Sequence, residues 1–363
     1  MYAPSDSGHH QAALAIERAI GELDPGCEVL TLDSLRYTSP VLEQVVIKAY
    51  MGMIKTTPEL WDFLYDNPKI VKMSEGIREL IHRFNLAKLK TLLEGFQPHV
   101  VACTQAYPCG ILADYKKIHK SNTPLVGVLT DYAPHLYWVY DAVDQYVVPS
   151  ELARARLMEG GVEGGKITLL GIPIDPKFRN KGDRSRSIKS LGLDPSILTI
   201  LVMGGGQGMG PIRKVVHKLD RVDLSFQILV VAGKNRSLKD YLKHHKPKFN
   251  KRVKVLGYAE NVDELMELSS LIVTKPGGLT TAEALAKGLP MIIINPIPGQ
   301  ETKNTQFLLK IGVARKADNE SHVARLAEEL LRDPSKLGQM RGKARESGRP
   351  DSAILTAKFL LGL

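Results

Sequence analysis

The sequence predicts an α/β protein built from two domains, each with a parallel sheet. Its 363 residues are long for a single core and suit two domains. Short β-branched runs recur in both halves and are separated by stretches long enough for helices, which is typical of parallel sheets with buried strands. A stretch rich in Gly, Pro and charge lies between the halves, at residues 171–181. We therefore expect domains at 1–170 and 182–350, joined by that linker.

The first half opens with a predicted helix over Gln11–Ile20, where apolar residues recur at helical spacing. Residues 5–8 are expected to form its N-terminal cap or turn, a place where an anion or a reacting hydroxyl can be held. The other interpretation is a capped surface helix with two solvated histidines. Only Met1–Ala3 precede this turn, although such a loop normally follows a strand. Either the true start lies upstream or the first strand is very short.

The predicted strands are β-branched or otherwise apolar runs bounded by turn residues. In the first half they are His99–Thr104, Pro124–Thr130 and Asp144–Ser150. In the second half they are Ile197–Gly206, Phe226–Gly233, Arg252–Tyr258, Ser270–Gly278 and Met291–Pro296.

Composition limits the class of protein. Hydrophobic residues at 44% and charged residues at 24% are ordinary for a folded chain. The cysteines Cys27, Cys103 and Cys109 are too few and too scattered for a disulfide framework or a zinc site, which indicates a reducing compartment. The sequence contains neither an apolar window of spanning length nor a signal peptide, so we expect a protein that neither crosses a membrane nor is exported. A net charge of +10 indicates an anionic partner: nucleic acid, lipid or a phosphate-bearing substrate.

Two glycine-rich turns follow strands in the second half. In Met203–Pro211, glycines would let backbone N–H groups approach a diphosphate, although the pattern is neither a Walker motif nor a dinucleotide fingerprint. Thr274–Pro290 predicts a strand end, a Pro-Gly-Gly turn and a helix from Leu279 to Lys287 whose first N–H groups would face phosphate. Glu283 on that helix could accept both hydroxyls of a ribose, or could be a glutamate favoured by the helix dipole.

Three further features leave alternatives open. Gln300 and Asn304 lie four apart and share a helix face, which suits either a polyhydroxylated sugar or a polar surface pair. Pro40–Phe96 alternates aromatic and apolar residues with lysine and arginine, as do helices lying in an anionic headgroup layer and also ordinary helices that cover a sheet. We interpret the basic region Lys234–Lys254 as a solvated face. Nucleic acid is a poor alternative partner, because the aromatic residues are not interleaved with the charges for stacking on bases.

Five motifs in order carry a resemblance to a known family: "SGHHQAALAI", "TDYAPHLYW", "GGGQGMGP", "KPGGLTTAEAL" and "PIPGQETKN". With them the chain resembles the monogalactosyldiacylglycerol synthase and processive diacylglycerol glucosyltransferase family, a relative of the lipid-linked N-acetylglucosaminyl transferase of peptidoglycan synthesis. The resemblance implies the GT-B architecture, in which two Rossmann-like domains face each other across a cleft. The first domain would take the acceptor and the second the UDP-sugar donor. It also implies that residues 351–363 form a helix packing back on the first domain.

The resemblance also implies roles for individual residues. His9 falls on the histidine of the family's Gly-His-x-x-Ala-Ala motif and would be the general base, with Asp131 supporting it and Gly8, His135 and Trp138 on the acceptor side. The residues implied on the donor side are Gly206, Gln207, Gly208, Tyr258, Gly277, Gly278, Leu279, Thr280, Glu283, Gln300 and Asn304. No metal or cofactor is expected, because the sequence offers no Asp-x-Asp pair and a helix N-terminus with a glycine loop can neutralise departing UDP.

From the resemblance we expect an inverting glycosyltransferase that moves glucose or galactose from a UDP-hexose to diacylglycerol. It would be peripheral on the cytoplasmic face of the membrane, with anionic lipids and not nucleic acid as partners. A diacylglycerol acceptor favours the membrane-binding interpretation of Pro40–Phe96. Two alternatives remain: a UDP-sugar 2-epimerase, and a non-catalytic sensor that binds a nucleotide sugar.

Overall fold

The computed structural model describes residues 1–4, 7–38 and 75–363, without the side chains of residues 75–85. Contacts divide the chain into two compact units. The first unit comprises Met1–Pro176, Ile297–Lys303 and Asp351–Leu363, and the second comprises Lys177–Pro296 and Asn304–Pro350. Each unit contains a parallel sheet with helices, so the predicted fold class is confirmed.

The described elements are numbered here in chain order. The helices are α1 (Gly8–Leu23), α2 (Ser34–Thr38), α3 (Glu75–Phe96), α4 (Ala106–His119), α5 (Glu151–Glu159), α6 (Arg184–Leu191), α7 (Ile212–Asp220), α8 (Arg236–His245), α9 (Val262–Leu268), α10 (Gly278–Ala286), α11 (Gln300–Lys310), α12 (Glu320–Arg332), α13 (Pro334–Ser347) and α14 (Ser352–Leu361). The strands are β1 (Val101–Cys103), β2 (Leu125–Val128), β3 (Gln145–Val148), β4 (Ile167–Leu169), β5 (Leu198–Met203), β6 (Phe226–Val231), β7 (Val253–Leu256), β8 (Leu271–Thr274), β9 (Met291–Ile294) and β10 (Ala314–Ala317).

The first sheet has the parallel order β1-β2-β3-β4 and is extended beside β1 by the first two residues. Met1 donates its N–H to the carbonyl of Ala102 and accepts from the N–H of Thr104, as in a parallel ladder. Tyr2 makes a parallel bridge to Asp33 on its other side. Met1 and Tyr2 therefore act as a very short strand, and His9 at the start of α1 contacts Thr104, the residue that follows β1.

Helices α1 and α14 pack together on the first sheet. Small residues line their contact, with Ala15 and Ala19 on α1 and Ala353 and Ala357 on α14, all of them buried. Small side chains allow the two helices to approach closely, and larger neighbours such as Val126 fill the space beneath them. This packing fixes α1, and therefore the residues of its first turn, relative to the sheet.

The second sheet has the parallel order β10-β9-β8-β5-β6-β7. From β5 the chain proceeds outward through β6 to β7, and then β8 returns to the other side of β5 and the chain continues to β9 and β10. The loops after β5 and β8 therefore diverge and leave a crevice at the carboxyl ends of these strands, the position where open α/β sheets bind ligands. Met203, Thr274 and Lys275 are among the residues that line a small crevice there.

Part of the predicted membrane-binding span belongs to the fold. Residues 40–74 of Pro40–Phe96 lie outside the described residues, and the remainder is α3. Leu86 and Leu89 of α3 are buried against Ile111 and Tyr115 of α4, so this end of α3 covers the first unit as an ordinary amphipathic helix. Among the described helices, none combines the length and the hydropathy needed to cross a bilayer.

Candidate active site

His9 lies in the first turn of α1, at the carboxyl edge of the first sheet. Ser7 caps the helix by accepting the N–H of His10, and exposed Gly8 is the first helical residue. The imidazole Nδ1 of His9 lies 2.9 Å from the carbonyl oxygen of Thr104 and 2.8 Å from Oγ1 of Thr130. Because a carbonyl oxygen can only accept, Nδ1 carries the proton and Nε2 carries the lone pair. The imidazole can therefore accept a proton at Nε2.

The two threonines that hold His9 were not predicted from the sequence. Thr104 directly follows β1, Thr130 follows β2, and both are buried. The hydroxyl of Thr104 also donates to the backbone carbonyl of His9, over 2.8 Å. Two neighbouring strands therefore fix both the backbone and the ring of His9, which restricts its rotamer.

Burial and one carboxylate set the charge of His9. Burial lowers the pKa of His9 below its ordinary value of 6.5, while the negative charge of Asp131 and the carbonyl of Thr104 act in the opposite direction. The imidazole is therefore neutral at neutral pH, the form that can accept a proton. Asp131 would then stabilise the imidazolium that forms when the proton arrives.

Two other residues predicted on the acceptor side, His135 and Trp138, differ in their exposure to solvent. His135 is half-buried, and its ring centroid lies 6.5 Å from that of Trp138. Trp138 itself is buried in the core of the first unit, in the same cluster as Tyr146 of β3. The ring of Trp138 is enclosed by core side chains and presents no open surface in this structure, so its place on the acceptor side stays a prediction.

In the second unit, the glycines after β5 serve two different purposes. Gly208 has a φ of +62°, and a Cβ there would lie 2.0 Å from the carbonyl oxygen of Ala232, so glycine is required for the packing of two loops. A Cβ at Gly206 would meet only the ring of Tyr258, at 3.9 Å. Gly206 and Gln207 are exposed, so their backbone is open to a ligand.

Tyr258 stands next to this glycine loop, after β7. Its side chain is 53% exposed, an unusual position for a large aromatic ring. The ammonium of Lys234 lies 5.9 Å from the ring centroid, and the N–H of Lys234 donates to the carbonyl of Gly206 over 2.9 Å. Tyr258 and the glycine loop therefore form one continuous exposed surface at the edge of the sheet.

The turn after β8 leads into α10 without a side-chain cap. Gly277 occupies the N-cap position and has no side chain that could accept the first N–H groups of the helix. The N–H groups of Gly278, Leu279 and Thr280 have no partner within a helix by geometry, and the helix dipole adds partial positive charge. These groups can hold a phosphate. Glu283 follows on the same helix and is half-buried.

Gln300 and Asn304 lie on α11 as predicted, but they differ in exposure. Gln300 is the first residue of the helix and is half-buried. Asn304 is fully buried, and its amide donates to the carbonyl of Pro276 over 3.2 Å. Asn304 thus braces the turn before α10 from behind, which the sequence pattern did not reveal.

Comparison with known proteins shows which families the two halves of the chain resemble. Residues 9–174 match the family model for monogalactosyldiacylglycerol (MGDG) synthase, and residues 199–354 match the glycosyltransferase family 28 C-terminal domain. The processive diacylglycerol beta-glucosyltransferase of Bacillus mycoides is 31% identical over 96% of this chain and 88% of its own length.

Two solved structures share the fold at low sequence identity. Acinetobacter baumannii MurG has a TM-score of 0.65 with 14% identity, and the match covers 100% of this chain and 98% of that one. The Anabaena protein Alr3699/HepE, in complex with UDP-glucose, has a TM-score of 0.53 with 14% identity, over 76% and 81% of the two chains. The chain has the GT-B fold that MurG represents.

Proposed function

Since the chain belongs to the diacylglycerol glycosyltransferase family typified by monogalactosyldiacylglycerol synthase, we propose that it transfers glucose or galactose from a UDP-hexose to diacylglycerol at a membrane surface. The observation that carries the proposal is the state of His9, whose Nδ1 proton is committed to the carbonyl of Thr104. That contact leaves Nε2 as an acceptor for the proton of a hydroxyl. A neutral, oriented imidazole is what a glycosyl transfer to an alcohol requires of its base.

The proposed reaction is a single in-line displacement. The acceptor oxygen attacks the anomeric carbon, its proton passes to Nε2 of His9, and the bond between that carbon and the diphosphate oxygen breaks. UDP leaves with the bonding electron pair, and the anomeric configuration inverts because one displacement occurs. An α-linked donor would therefore give a β-linked glycolipid. Asp131 stabilises the imidazolium until the proton is lost to solvent.

Backbone groups of the second unit would hold the donor. The N–H groups at the start of α10 would bind the diphosphate and stabilise the charge that develops on it. Glu283 would accept the ribose hydroxyls, and the backbone next to Tyr258 would contact uracil. Gln300 would contact the hexose hydroxyls, and Asn304 would act through the turn that it braces, without touching the sugar. No metal ion enters this proposal.

Two comparisons support the choice of substrates. The Bacillus mycoides relative is named for glucosyl transfer to diacylglycerol. The Anabaena HepE structure, which shares the fold, holds UDP-glucose. The names of these two proteins therefore support diacylglycerol as the acceptor class and a UDP-sugar as the donor class.

The test incubates the purified chain with radiolabelled UDP-glucose or UDP-galactose and vesicles that contain diacylglycerol, and separates labelled lipid from donor. We expect labelled monohexosyl lipid with a β-anomeric proton by NMR, and its formation should depend on His9. Conversion of a UDP-sugar to its 2-epimer without lipid would instead support the epimerase alternative. UDP binding without any transfer would support a sensor.

A further inference from the structure

Most of the excess positive charge of this chain lies in one surface segment. Lys234–Lys254, here called the basic band, contains nine lysines and arginines against one carboxylate, a net charge of +8 with histidine neutral. The other 342 residues contain 40 basic against 38 acidic side chains, a net charge of +2. The high isoelectric point is therefore a property of this band and not of the surface as a whole.

The basic band follows one side of the second unit. It consists of α8, the short 3-10 turn Lys246–Lys248 and the start of the edge strand β7. Its exposed basic side chains are Lys234, Arg236, Lys243, Lys246, Lys248 and Arg252. The guanidinium of Arg213 on α7 stacks 3.5 Å above the ring of Tyr241, so α7 joins the band and adds further positive charge.

Three lysines at the far end of the band have no carboxylate partner within the described part of the chain. Among the described residues, Lys243, Lys246 and Lys248 make no ion pair, whereas elsewhere on this unit opposite charges alternate, as in Arg332 with Glu328 at 2.9 Å. Asp220, which packs beneath the band, is buried and accepts hydrogen bonds from the Asn250 side chain and the Lys251 backbone. The like charges of the band therefore repel one another in the free protein.

Two ordinary explanations cover only part of the band. Basic residues at a helix C-terminus interact favourably with its dipole, which accounts for Lys243 and the two following histidines. Lysine on an edge strand prevents pairing with another sheet, which accounts for Lys254. Neither explains Lys246 and Lys248 in the 3-10 turn, nor Arg236 at the helix N-terminus, where positive charge is unfavourable.

We propose that the basic band docks on the anionic headgroups of a lipid bilayer, so that the second unit has a membrane contact of its own. The choice of a bilayer rests on the proposed lipid acceptor. Leu238 and Leu242 of α8 are buried in the core of the second unit, so the contact is electrostatic and does not insert the helix. Nucleic acid is the less favoured partner, because the rings of Tyr241 and Phe249 are engaged by Arg213 and His217 and are not free to stack on bases.

The experiment measures partition of the full chain onto vesicles by flotation, with no donor sugar present. Vesicles of phosphatidylcholine alone are compared with vesicles containing about 30 mol% phosphatidylglycerol, at about 0.05 and about 0.5 M NaCl. The band variant combines Lys243→Glu, Lys246→Glu and Lys248→Glu. The matched control combines Lys310→Glu, Lys316→Glu and Arg325→Glu, three exposed residues of the same unit with the same change of charge.

We expect the band variant to lose roughly tenfold or more in partition onto anionic vesicles at low salt, and the control to lose much less. Vesicles without anionic lipid, and high salt, should abolish the difference between them. Equal losses in both variants, or wild-type partition of the band variant, would overturn the proposal. The proposal would also be overturned if the band variant kept wild-type partition onto vesicles and lost only the ability to bind a single-stranded oligonucleotide. Replacement of the same three lysines by glutamine keeps the test valid if charge reversal prevents folding.

Failure of the proposed transferase function can be distinguished from failure of the membrane-docking proposal. Vesicle partition is measured without catalysis, and hexose transfer is measured separately with diacylglycerol in neutral detergent micelles. The band variant should transfer hexose in micelles at the wild-type rate, because its lysines are far from the turns proposed to bind the donor. Lys243 lies near the C-terminus of α8, and Lys246 and Lys248 lie in the 3-10 turn that precedes the amino end of β7, whereas those turns lie at the carboxyl ends of the strands.

Discussion

Replacement of His9 by alanine is the most direct test of the proposed chemistry. A positioned general base contributes about 10²- to 10⁴-fold to a rate, and the loss of 10² corresponds to about 2.7 kcal/mol at about 1.36 kcal/mol per tenfold. The structure supports a loss of at least that size, because Thr104 and Thr130 hold the ring in one orientation and tautomer. UDP affinity should stay nearly unchanged, because the ring makes none of the contacts assigned to the donor.

The neighbouring histidine provides a matched control. The ring of His10 stacks on Tyr2 with centroids 4.3 Å apart and has no role in the proposed reaction. Initial rates of hexose transfer and calorimetric titration with UDP should separate the two variants, with only His9→Ala losing turnover. Near-normal turnover of His9→Ala would remove His9 from the mechanism. Equal losses in both variants would show that the effect is structural.

The pH profile provides a second measurement on the same residue. Burial lowers the pKa of His9 below 6.5, and the base acts in its neutral form. The value of kcat/KM should therefore fall only as the pH drops below 6.5, through the pKa of the folded protein, and should be flat from there to mildly alkaline pH. An acid limb centred above 6.5 would contradict the assignment. The limb should be absent from the residual activity of His9→Ala.

Three further substitutions test the second unit. Glu283→Ala should weaken UDP binding by about tenfold or more in calorimetric titration, because a charge-assisted hydrogen bond to ribose is lost; unaltered affinity would refute the ribose contact. Gly208→Ala should lower the free energy of unfolding, measured in urea, by about 2–4 kcal/mol, because alanine would have to adopt a left-handed backbone and its Cβ would overlap the carbonyl oxygen of Ala232. Gly206→Ala should change that free energy by less than about 0.5 kcal/mol, because its Cβ would meet no backbone atom. Asn304→Ala should lower that free energy by about 1–3 kcal/mol and raise KM for the donor, because the turn that it braces is freed; an unchanged KM would assign Asn304 a purely structural role.

The sheets were largely predictable because buried parallel strands are continuous apolar runs. Strands β5, β6, β8 and β9 fall inside the predicted runs, and all their residues except Leu198 of β5 are buried. Strands β4 and β10 were missed, and each lies at the edge of its sheet. β10 has only four residues and carries Arg315 and Lys316, since one side of an edge strand faces solvent and does not require apolar residues.

Site residues could be predicted where they belong to a sequence motif. They could not be predicted where the role of a side chain depends on which elements are neighbours in the fold. The role of Thr104 and Thr130 depends on two strands being neighbours, which no local pattern states, although both predicted strands end at these threonines. Parallel strands bring their carboxyl ends to one edge, so two hydroxyls ending adjacent strands were a usable signal. No sequence signal indicated that Trp138 and Asn304 are buried, because aromatic and amide residues occur both in cores and in binding sites.

Composition predicted an anionic partner, and the two proposals above assign that prediction to two different kinds of anion. The groups proposed to hold the diphosphate are N–H groups at the start of α10, which require no lysine or arginine. The excess cationic charge lies instead in the basic band, and Lys243, Lys246 and Lys248 are at its far end from the donor-binding turns. Backbone dipoles in a narrow crevice select one compact anion, whereas a band of flexible ammonium groups suits a broad anionic surface. In these two proposals, the positive charge of the basic band determines where the protein docks, and the glycine turns determine which anion it binds.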